Sequence, residues 1–157
     1  MIQGLYEAHL PVSDLNQSIE FYQNIGLELA YRNKSGIAFF WIEKGKSWIG
    51  LWEGEEFQTP YHPSLRHIAF RVELNDIKKA KDWLSSRGIV MRENFGFAPK
   101  EPIVLDNPPQ AHAAIYFHDP DRNSLEFICP VEIDTYNESE MMYLSEWEQA
   151  TAQGEVK

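Results

Sequence analysis

Residues 7–12 of the chain read EAHLPV and residues 67–72 read HIAFRV. In both runs apolar side chains alternate with other residues, a pattern typical of a β-strand with one buried face. Each run leads into a segment whose apolar residues recur at helical spacing. The sequence therefore predicts that both halves of the chain begin with a strand followed by a helix.

The two predicted helices begin and end at equivalent positions. The first begins near Ser13 and Asp14, with Ser13 as the expected N-cap, and ends near Gly26, because glycine suits the left-handed turn after a helix. The second begins near Asp76 and ends near Gly88, so both boundaries are offset by 62 residues. Apolar residues at three- and four-residue spacing define the inner stripes: Leu15, Ile19 and Tyr22, then Ile77, Ala80 and Leu84.

Three extended segments are predicted after each helix. They are 27–31, 36–42 and 47–52 in the first half, and 89–92, 111–118 and 124–131 in the second. The intervening segment 95–110 contains four prolines and is predicted to be a surface loop. The chain thus reads as an α+β protein made of two βαβββ modules.

The amino-acid composition narrows the kinds of binding partner and the cellular compartment that we expect. Apolar residues make up 43% of the 157 residues, enough for a folded core, and no apolar run is long enough to cross a membrane. The net charge of −10 disfavours nucleic acid and anionic lipid as partners. A single cysteine, Cys129, excludes an internal disulfide, and the first residues lack the features of a signal peptide. We therefore expect a cytoplasmic protein.

The final segment, 132–157, holds seven acidic residues and one basic residue and is predicted to be an acidic tail. Met141, Tyr143, Leu144 and Trp147 are spaced as on a helix. Because a tryptophan side chain is seldom left in water, we expect these residues to pack against a neighbouring subunit.

The chain resembles the vicinal-oxygen-chelate superfamily of glyoxalases, fosfomycin-resistance proteins and extradiol dioxygenases. The resemblance is carried by Leu10–Leu15, Ser18–Tyr22, His67–Val72, Tyr116–Asp121 and Leu125–Phe127. It implies one domain over residues 1–131, with modules 1–56 and 64–131 that form cupped mixed sheets around a cavity. It also implies a homodimer, a small-molecule substrate and a divalent cation: Mn, Fe, Ni, Mg or Zn.

Metal ligands in this superfamily come from the first and last strand of each module. By residue matching, the resemblance assigns His67 and Glu126 in the second module. In the first module the family position, seven residues before Asp14, is occupied by Glu7, but His9 shares its strand face. Two carboxylates and one imidazole favour a harder ion. His9 remains an alternative ligand, a partner of a ligand, a general base or a histidine that only lines the wall of the pocket.

Two further positions depart from relatives of known activity. Gly50 stands where four-ligand glyoxalases carry a carboxylate, which argues against an ordinary glyoxalase I reaction. His9 stands where fosfomycin-modifying relatives carry threonine, and the loop between the last strands lacks their basic cluster. A phosphonate needs several cationic donors, so the resemblance leaves the substrate open.

The strand alternation also predicts the wall of the cavity. Trp48 and Trp52 flank Gly50 on one face, which suggests a flat ligand stacked in the gap between them. Arg71 and His112 are further candidates for substrate binding, while Tyr116 matches a cavity tyrosine of fosfomycin-resistance relatives and is, with His9, a candidate catalytic residue.

Two functions follow from these assignments. The first is a metal-dependent lyase, isomerase or dioxygenase that chelates two neighbouring oxygens of a small metabolite, with Glu7 or His9 moving the proton. The alternative is a metal-free protein that sequesters a drug or metabolite, as bleomycin-resistance relatives do. The aromatic wall and the incomplete ligand set motivate the alternative.

Overall fold

The computed structural model describes residues 4–55, 66–105, 111–131 and 141–152. Contacts divide the chain into two compact units. Unit 1 comprises Met1–Arg66 and Asp119–Asn123, and unit 2 comprises His67–His118 and Ser124–Lys157. The predicted module boundary, the last five residues of the 95–110 loop and the start of the acidic tail lie outside the described residues.

Unit 1 is a four-stranded sheet with one helix, as the sequence predicts. Its elements are β1 (Glu7–Val12), α1 (Leu15–Asn24), β2 (Glu28–Arg32), β3 (Ile37–Glu43) and β4 (Ser47–Glu53). The strand order is β1-β4-β3-β2, and β1 runs parallel to β4 while the other neighbours are antiparallel. The first and last strands of the module are therefore neighbours.

Helix α1 covers one face of this sheet. Its buried residues Leu15, Ser18, Ile19 and Tyr22 form the expected stripe. The N-cap is Asp14 and not the predicted Ser13: the Asp14 side chain accepts a hydrogen bond from the backbone N–H of Gln17. The Ser13 N–H instead donates to Asp121 at 2.9 Å. The helix ends before Gly26, whose φ of +92° confirms the predicted left-handed turn.

Unit 2 repeats the same strand pairing and adds elements at one edge. It comprises β5 (His67–Arg71), α2 (Leu74–Ile77), α3 (Ala80–Ser85), β6 (Ile103–Leu105), β7 (His112–His118), β8 (Ser124–Pro130), β9 (Met142–Tyr143) and α4 (Leu144–Ala152). The strand order is β5-β8-β7-β6-β9, again with the first strand parallel to the last strand of the βαβββ repeat. Two mixed sheets thus confirm the predicted α+β fold.

The second predicted helix is interrupted. It is split into α2 and α3 by a turn at Lys78 and Lys79, where the Lys79 N–H bonds to the carbonyl three residues earlier. Neither segment has a side-chain N-cap bond. The predicted inner residues Ile77, Ala80 and Leu84 are nevertheless buried, so packing keeps the stripe although the helix is broken.

The second strand of the second module was assigned to the wrong segment. Residues 89–92 form no strand, and the partner of β7 is Ile103–Leu105, inside the segment predicted to be a loop. At the end of segment 89–92, the backbone N–H of Arg92 donates a hydrogen bond to the Tyr116 carbonyl. Three consecutive buried apolar residues make β6, and the neighbouring prolines hid this short run from sequence patterning.

The described part of the tail belongs to unit 2. Strand β9 extends the sheet at β6, and Leu144 and Trp147 pack on the cluster that contains Ile77, Val104 and Cys129. These two residues thus pack on residues of their own chain, and the expectation of a neighbouring subunit stays a prediction. The Tyr143 N–H donates to the Glu146 carboxylate at 2.9 Å, a capping contact that begins α4.

The turn between β7 and β8 is built around a buried carboxylate, Asp119. Its oxygens accept hydrogen bonds from the Tyr22 hydroxyl (3.0 Å), the Asn123 amide side chain (2.6 Å) and the backbone N–H groups of Asp121 and Asn123. Burial nevertheless raises the pKa of Asp119 above its usual 3.8, because loss of hydration outweighs these donors.

This pKa makes the stability of the fold depend on pH. The folded protein binds the Asp119 proton more tightly than the unfolded chain does, so the free energy of unfolding falls as the pH rises through and above 3.8. We expect Asp119→Asn to flatten that part of the curve, as measured by urea unfolding at a series of pH values. The matched control is Glu20→Gln at an exposed position of α1, which leaves the curve unchanged. An equal slope in wild type and Asp119→Asn would contradict the assignment.

Candidate metal and substrate site

Strand register brings the second-module candidates onto one face of the unit 2 sheet. Strand β8 lies between β5 and β7, with Ala69 and Tyr116 directly opposite Glu126, and His67 opposite Ser124. Side chains at paired positions point to the same side of a sheet. His67, Glu126 and Tyr116 therefore share the face that α2, α3 and α4 do not cover.

His67 and Glu126 are in direct contact. The Nε2 atom of His67 lies 3.0 Å from Oε2 of Glu126, and Glu126 is only 5% exposed. Within the part of the chain that the structure describes, the other carboxylate oxygen of Glu126, Oε1, is buried without a hydrogen-bond partner. A buried carboxylate with an unused oxygen is costly unless a cation or donor reaches it.

The pair fits a divalent cation. Imidazole nitrogen and carboxylate oxygen are both ligands of first-row metals, and two such donors, each ~2.1 Å from one ion and at right angles, lie about 3 Å apart. The observed 3.0 Å agrees with this spacing. The unused Oε1 atom leaves additional coordination capacity on the same side chain.

The other ring nitrogen of His67 is held by a serine. Nδ1 lies 3.0 Å from the Ser124 hydroxyl, which also accepts a hydrogen bond from Nη2 of Arg92 at 2.9 Å. A serine oxygen can accept two hydrogen bonds, so it can take one from Arg92 and one from Nδ1–H of His67. In that arrangement the lone pair of Nε2 faces Glu126, as a metal ligand requires.

Tyr116 is a neutral hydrogen-bond donor in this site. Its hydroxyl interacts with Glu126 and with Asn94. Burial, and next the negative charge of Glu126, raise the pKa of Tyr116 well above its usual value of 10.0. The phenol of Tyr116 can therefore donate a hydrogen bond to an oxygen in this site.

Arg71 and His112 lie farther along the same face. Arg71 pairs with Ile128 and His112 with Pro130, two and four residues beyond Glu126 on β8. At ~3.3 Å per residue these positions are about 7 and 13 Å from Glu126 along the strand. The two residues are thus placed to contact a part of the substrate remote from the cation, and their role in substrate binding stays a prediction.

Arg92, Ser124 and Asn94 were missed by sequence reasoning. Ser124 had a usable signal, because it lies two residues before Glu126 and strand periodicity puts both on one face. Arg92 and Asn94 had none, since they lie outside the strands and reach the site through loop geometry. A small pocket beside Tyr116, lined also by Met91, Phe97 and Ile103, has about 10 Å³ of free volume, room for one water but not for a substrate.

Unit 1 presents a different arrangement on the face opposite α1. In the β1–β4 register Glu7 pairs with Trp48, His9 with Gly50, and Pro11 with Trp52. The indole N–H of Trp52 donates to Nδ1 of His9 at 2.7 Å, and Nε2 of His9 lies 3.5 Å from the Glu7 carboxylate. The two alternative first-strand ligands are thus neighbours.

The glycine at position 50 is required by the His9 ring. A Cβ atom at Gly50 would lie 2.2 Å from Nδ1 and 2.7 Å from Cε1 of His9, and 3.0 Å from the Phe39 ring. No side chain fits there while the imidazole keeps its position. The missing carboxylate of four-ligand relatives therefore coincides with space that His9 occupies.

The aromatic pair does not form the predicted stacking gap. Trp48 packs against Tyr6, Phe39 and Trp41 at ring-centroid distances of 4.4, 6.1 and 5.7 Å. Trp52 is 48% exposed, and the space over Gly50 between the two indoles is occupied by His9. His9 thus stands where a flat ligand was expected, Trp52 remains accessible, and the role of Trp48 and Trp52 in substrate binding stays a prediction.

Across the described ranges, no three His, Cys, Asp or Glu side chains lie close enough together to hold one metal ion. Unit 2 supplies His67 and Glu126, and unit 1 supplies Glu7 beside His9. The three predicted ligands are thus divided between the units. Among the same residues, no helix has the length and apolar character needed to cross a membrane.

Known proteins share both the sequence pattern and the fold. The Glyoxalase/Bleomycin resistance protein/Dioxygenase superfamily matches residues 4–127. The chain is 26% identical to the metallothiol transferase FosB of Staphylococcus saprophyticus over 95% of this chain and 94% of that protein, and 30% identical to the fosfomycin resistance protein FosX of Listeria monocytogenes over 80% and 89%.

A crystal structure of Listeria monocytogenes FosX complexed with Mn(II) and a sulfate ion superimposes with a TM-score of 0.61, at 28% identity, over 83% of this chain and 93% of that one. The match over residues 4–127 covers both βαβββ repeats, which the structure shows as two sheets with the same strand pairing. This chain belongs to the Glyoxalase/Bleomycin resistance protein/Dioxygenase superfamily, the group that the sequence resembles.

Proposed function

We propose that this protein is a metal-dependent enzyme that acts on a small oxygen-bearing molecule. The cation is held by His67 and Glu126 of unit 2, and Glu7 stays the first-module ligand that the resemblance implies. The observation that carries the proposal is the buried contact between His67 and Glu126, 3.0 Å long, beside a carboxylate oxygen that has no partner among the residues that the structure describes. A buried carboxylate of this kind destabilises the fold, and its presence is explained if the function requires it.

The chemistry follows from the residues around that pair. The cation would polarise two neighbouring oxygens of the substrate as a Lewis acid. Tyr116 keeps its proton and donates a hydrogen bond to an oxygen that gains negative charge during the reaction. Arg92 and Ser124 orient His67 so that Nε2 faces the ligand position.

Relatives supply a first substrate to test, but this chain differs from them at informative positions. FosB and FosX are named for fosfomycin resistance or metal-dependent thiol transfer, and a FosX structure holds Mn(II). Here glutamate occupies the first-strand ligand position and histidine replaces threonine two residues later. Arg71 is the cation predicted to face the substrate, and a phosphonate dianion calls for several. We therefore expect a substrate other than fosfomycin.

The alternative function, metal-free sequestration of a drug or metabolite, is favoured by one observation: Trp52 is exposed on the aromatic face of unit 1. Fosfomycin and bleomycin serve as probes, with tryptophan fluorescence as the signal. A change in fluorescence that persists after EDTA treatment supports the binding protein, whereas a change that EDTA abolishes supports the metal-dependent site.

Metal content tests the proposed function directly. Protein purified without chelator and equilibrated with Mn(II) is expected to retain the ion, as measured by elemental analysis, and Glu126→Gln is expected to lose it because the amide cannot replace the carboxylate charge. The control Glu20→Gln, at an exposed position of α1, should retain the wild-type content. Equal, near-zero metal in wild type and Glu126→Gln would exclude the proposal.

The support that Ser124 gives to His67 predicts a graded effect. We expect Ser124→Ala to weaken Mn(II) binding by about 10- to 100-fold, the range seen when a ligating histidine loses its hydrogen-bond partner. Ser124→Thr keeps the hydroxyl and should restore most of the affinity. Titration of free Mn(II) by electron paramagnetic resonance measures both, and an alanine variant with wild-type affinity would show that His67 needs no such partner.

A further inference from the structure

We propose that His9 is a hydrogen-bond donor to the substrate and not a metal ligand, and that Trp52 is the positioning residue that holds it in this role. The sequence left the assignment open between Glu7 and His9. The contacts of His9 within unit 1 distinguish the two, because they determine which ring nitrogen carries the proton.

Nδ1 of His9 is a hydrogen-bond acceptor. The indole N–H of Trp52 lies 2.7 Å from this atom. An indole nitrogen can only donate, so Nδ1 must accept. In a neutral imidazole the acceptor nitrogen has no hydrogen, and the proton then resides on Nε2.

The His9 ring is held in position by its neighbours. The imidazole lies directly over Gly50, where a Cβ atom would approach Nδ1 to 2.2 Å. Phe39 and Trp52 flank the ring edge-on at centroid distances of 6.1 and 5.7 Å. The ring is thus seated between two aromatic side chains on a bare stretch of backbone, which keeps Nδ1 within reach of Trp52.

Nε2 of His9 is the ring nitrogen that can donate to a ligand. It lies 3.5 Å from Oε2 of Glu7, longer than an effective hydrogen bond, so its N–H retains donor capacity for another oxygen. The side chain of His9 is 36% exposed, which leaves a path for a ligand. A metal at Nε2 would need a lone pair that this tautomer lacks, and Nδ1 already accepts from Trp52.

Glu7 is the ligand that remains. An ionised carboxylate is an acceptor only and can bind a cation without any change of tautomer. His9 then presents an N–H close to the Glu7 carboxylate, where it can bond a substrate oxygen. The substrate class is a small molecule with a carbonyl or carboxylate oxygen at that position. This substrate assignment, though not the tautomer, rests on the proposed metal-dependent function.

Nitrogen-15 NMR of histidine-labelled protein tests the tautomer. At about pH 8, where a free histidine side chain is neutral, the His9 signals, identified by their absence in His9→Gln, are expected to show a protonated Nε2 and an unprotonated Nδ1. Trp52→Phe keeps the ring but removes the donor, so the two tautomers should mix. Gly50→Ala should have the same effect by displacing the imidazole. Signals unchanged in both variants, or a wild-type Nδ1 that carries the proton, would overturn the proposal.

Mn(II) affinity tests the division of roles. Glu7→Gln is expected to weaken binding at least as much as the ~10- to 100-fold that follows loss of a ligand's hydrogen-bond partner. His9→Gln and Trp52→Phe should leave it unchanged. A loss in His9→Gln equal to that in Glu7→Gln would show that His9 is a ligand. If even Glu126→Gln binds Mn(II) as the wild type does, the proposed function fails, while the NMR result for His9 stands on its own.

Discussion

Parallel pairing between the first and last strand of each module is the constraint on which the site depends. β1 pairs with β4 and β5 pairs with β8, so residues some 40 to 60 positions apart in the chain become direct neighbours. In unit 2 this pairing joins His67 to Ser124 and Glu126, and in unit 1 it joins His9 to Gly50. A shift of one residue in either register would turn every one of these side chains to the opposite face.

The same pairing supports different chemistry in the two units. Unit 2 buries a carboxylate and surrounds it with an imidazole, a phenol and, through Ser124, a guanidinium. Such a network stabilises the fold only when every group has a partner, and Glu126 still has a buried oxygen without one. The energetic cost of that oxygen is understandable if the site exists to bind a cation.

In unit 1 the residues at positions 9 and 50 share one volume, so the size of one limits the size of the other. The position at which four-ligand relatives carry a carboxylate is glycine here, and the adjacent strand fills the space with an imidazole. Because the two residues occupy one volume, neither can be interpreted alone. His9 requires Gly50, and the Trp52 indole, two residues farther along β4, orients the ring that results.

The sequence by itself determined the repeat and the strand-first order of each module, because strand and helix periodicities are local and the helix-ending glycines recur at a fixed offset. Its resemblance to the superfamily supplied Glu7, His67 and Glu126 as candidate ligands. It could not identify β6, three apolar residues among prolines that form a strand only because β7 offers an unpaired edge. Nor could the sequence predict the hydrogen bonds from Arg92 to Ser124 and from the Trp52 indole to His9, since these contacts join side chains distant in the chain. Tertiary structure alone decided which nitrogen of His9 is occupied and why position 50 has no side chain, because both depend on distances of a few ångströms between neighbouring strands.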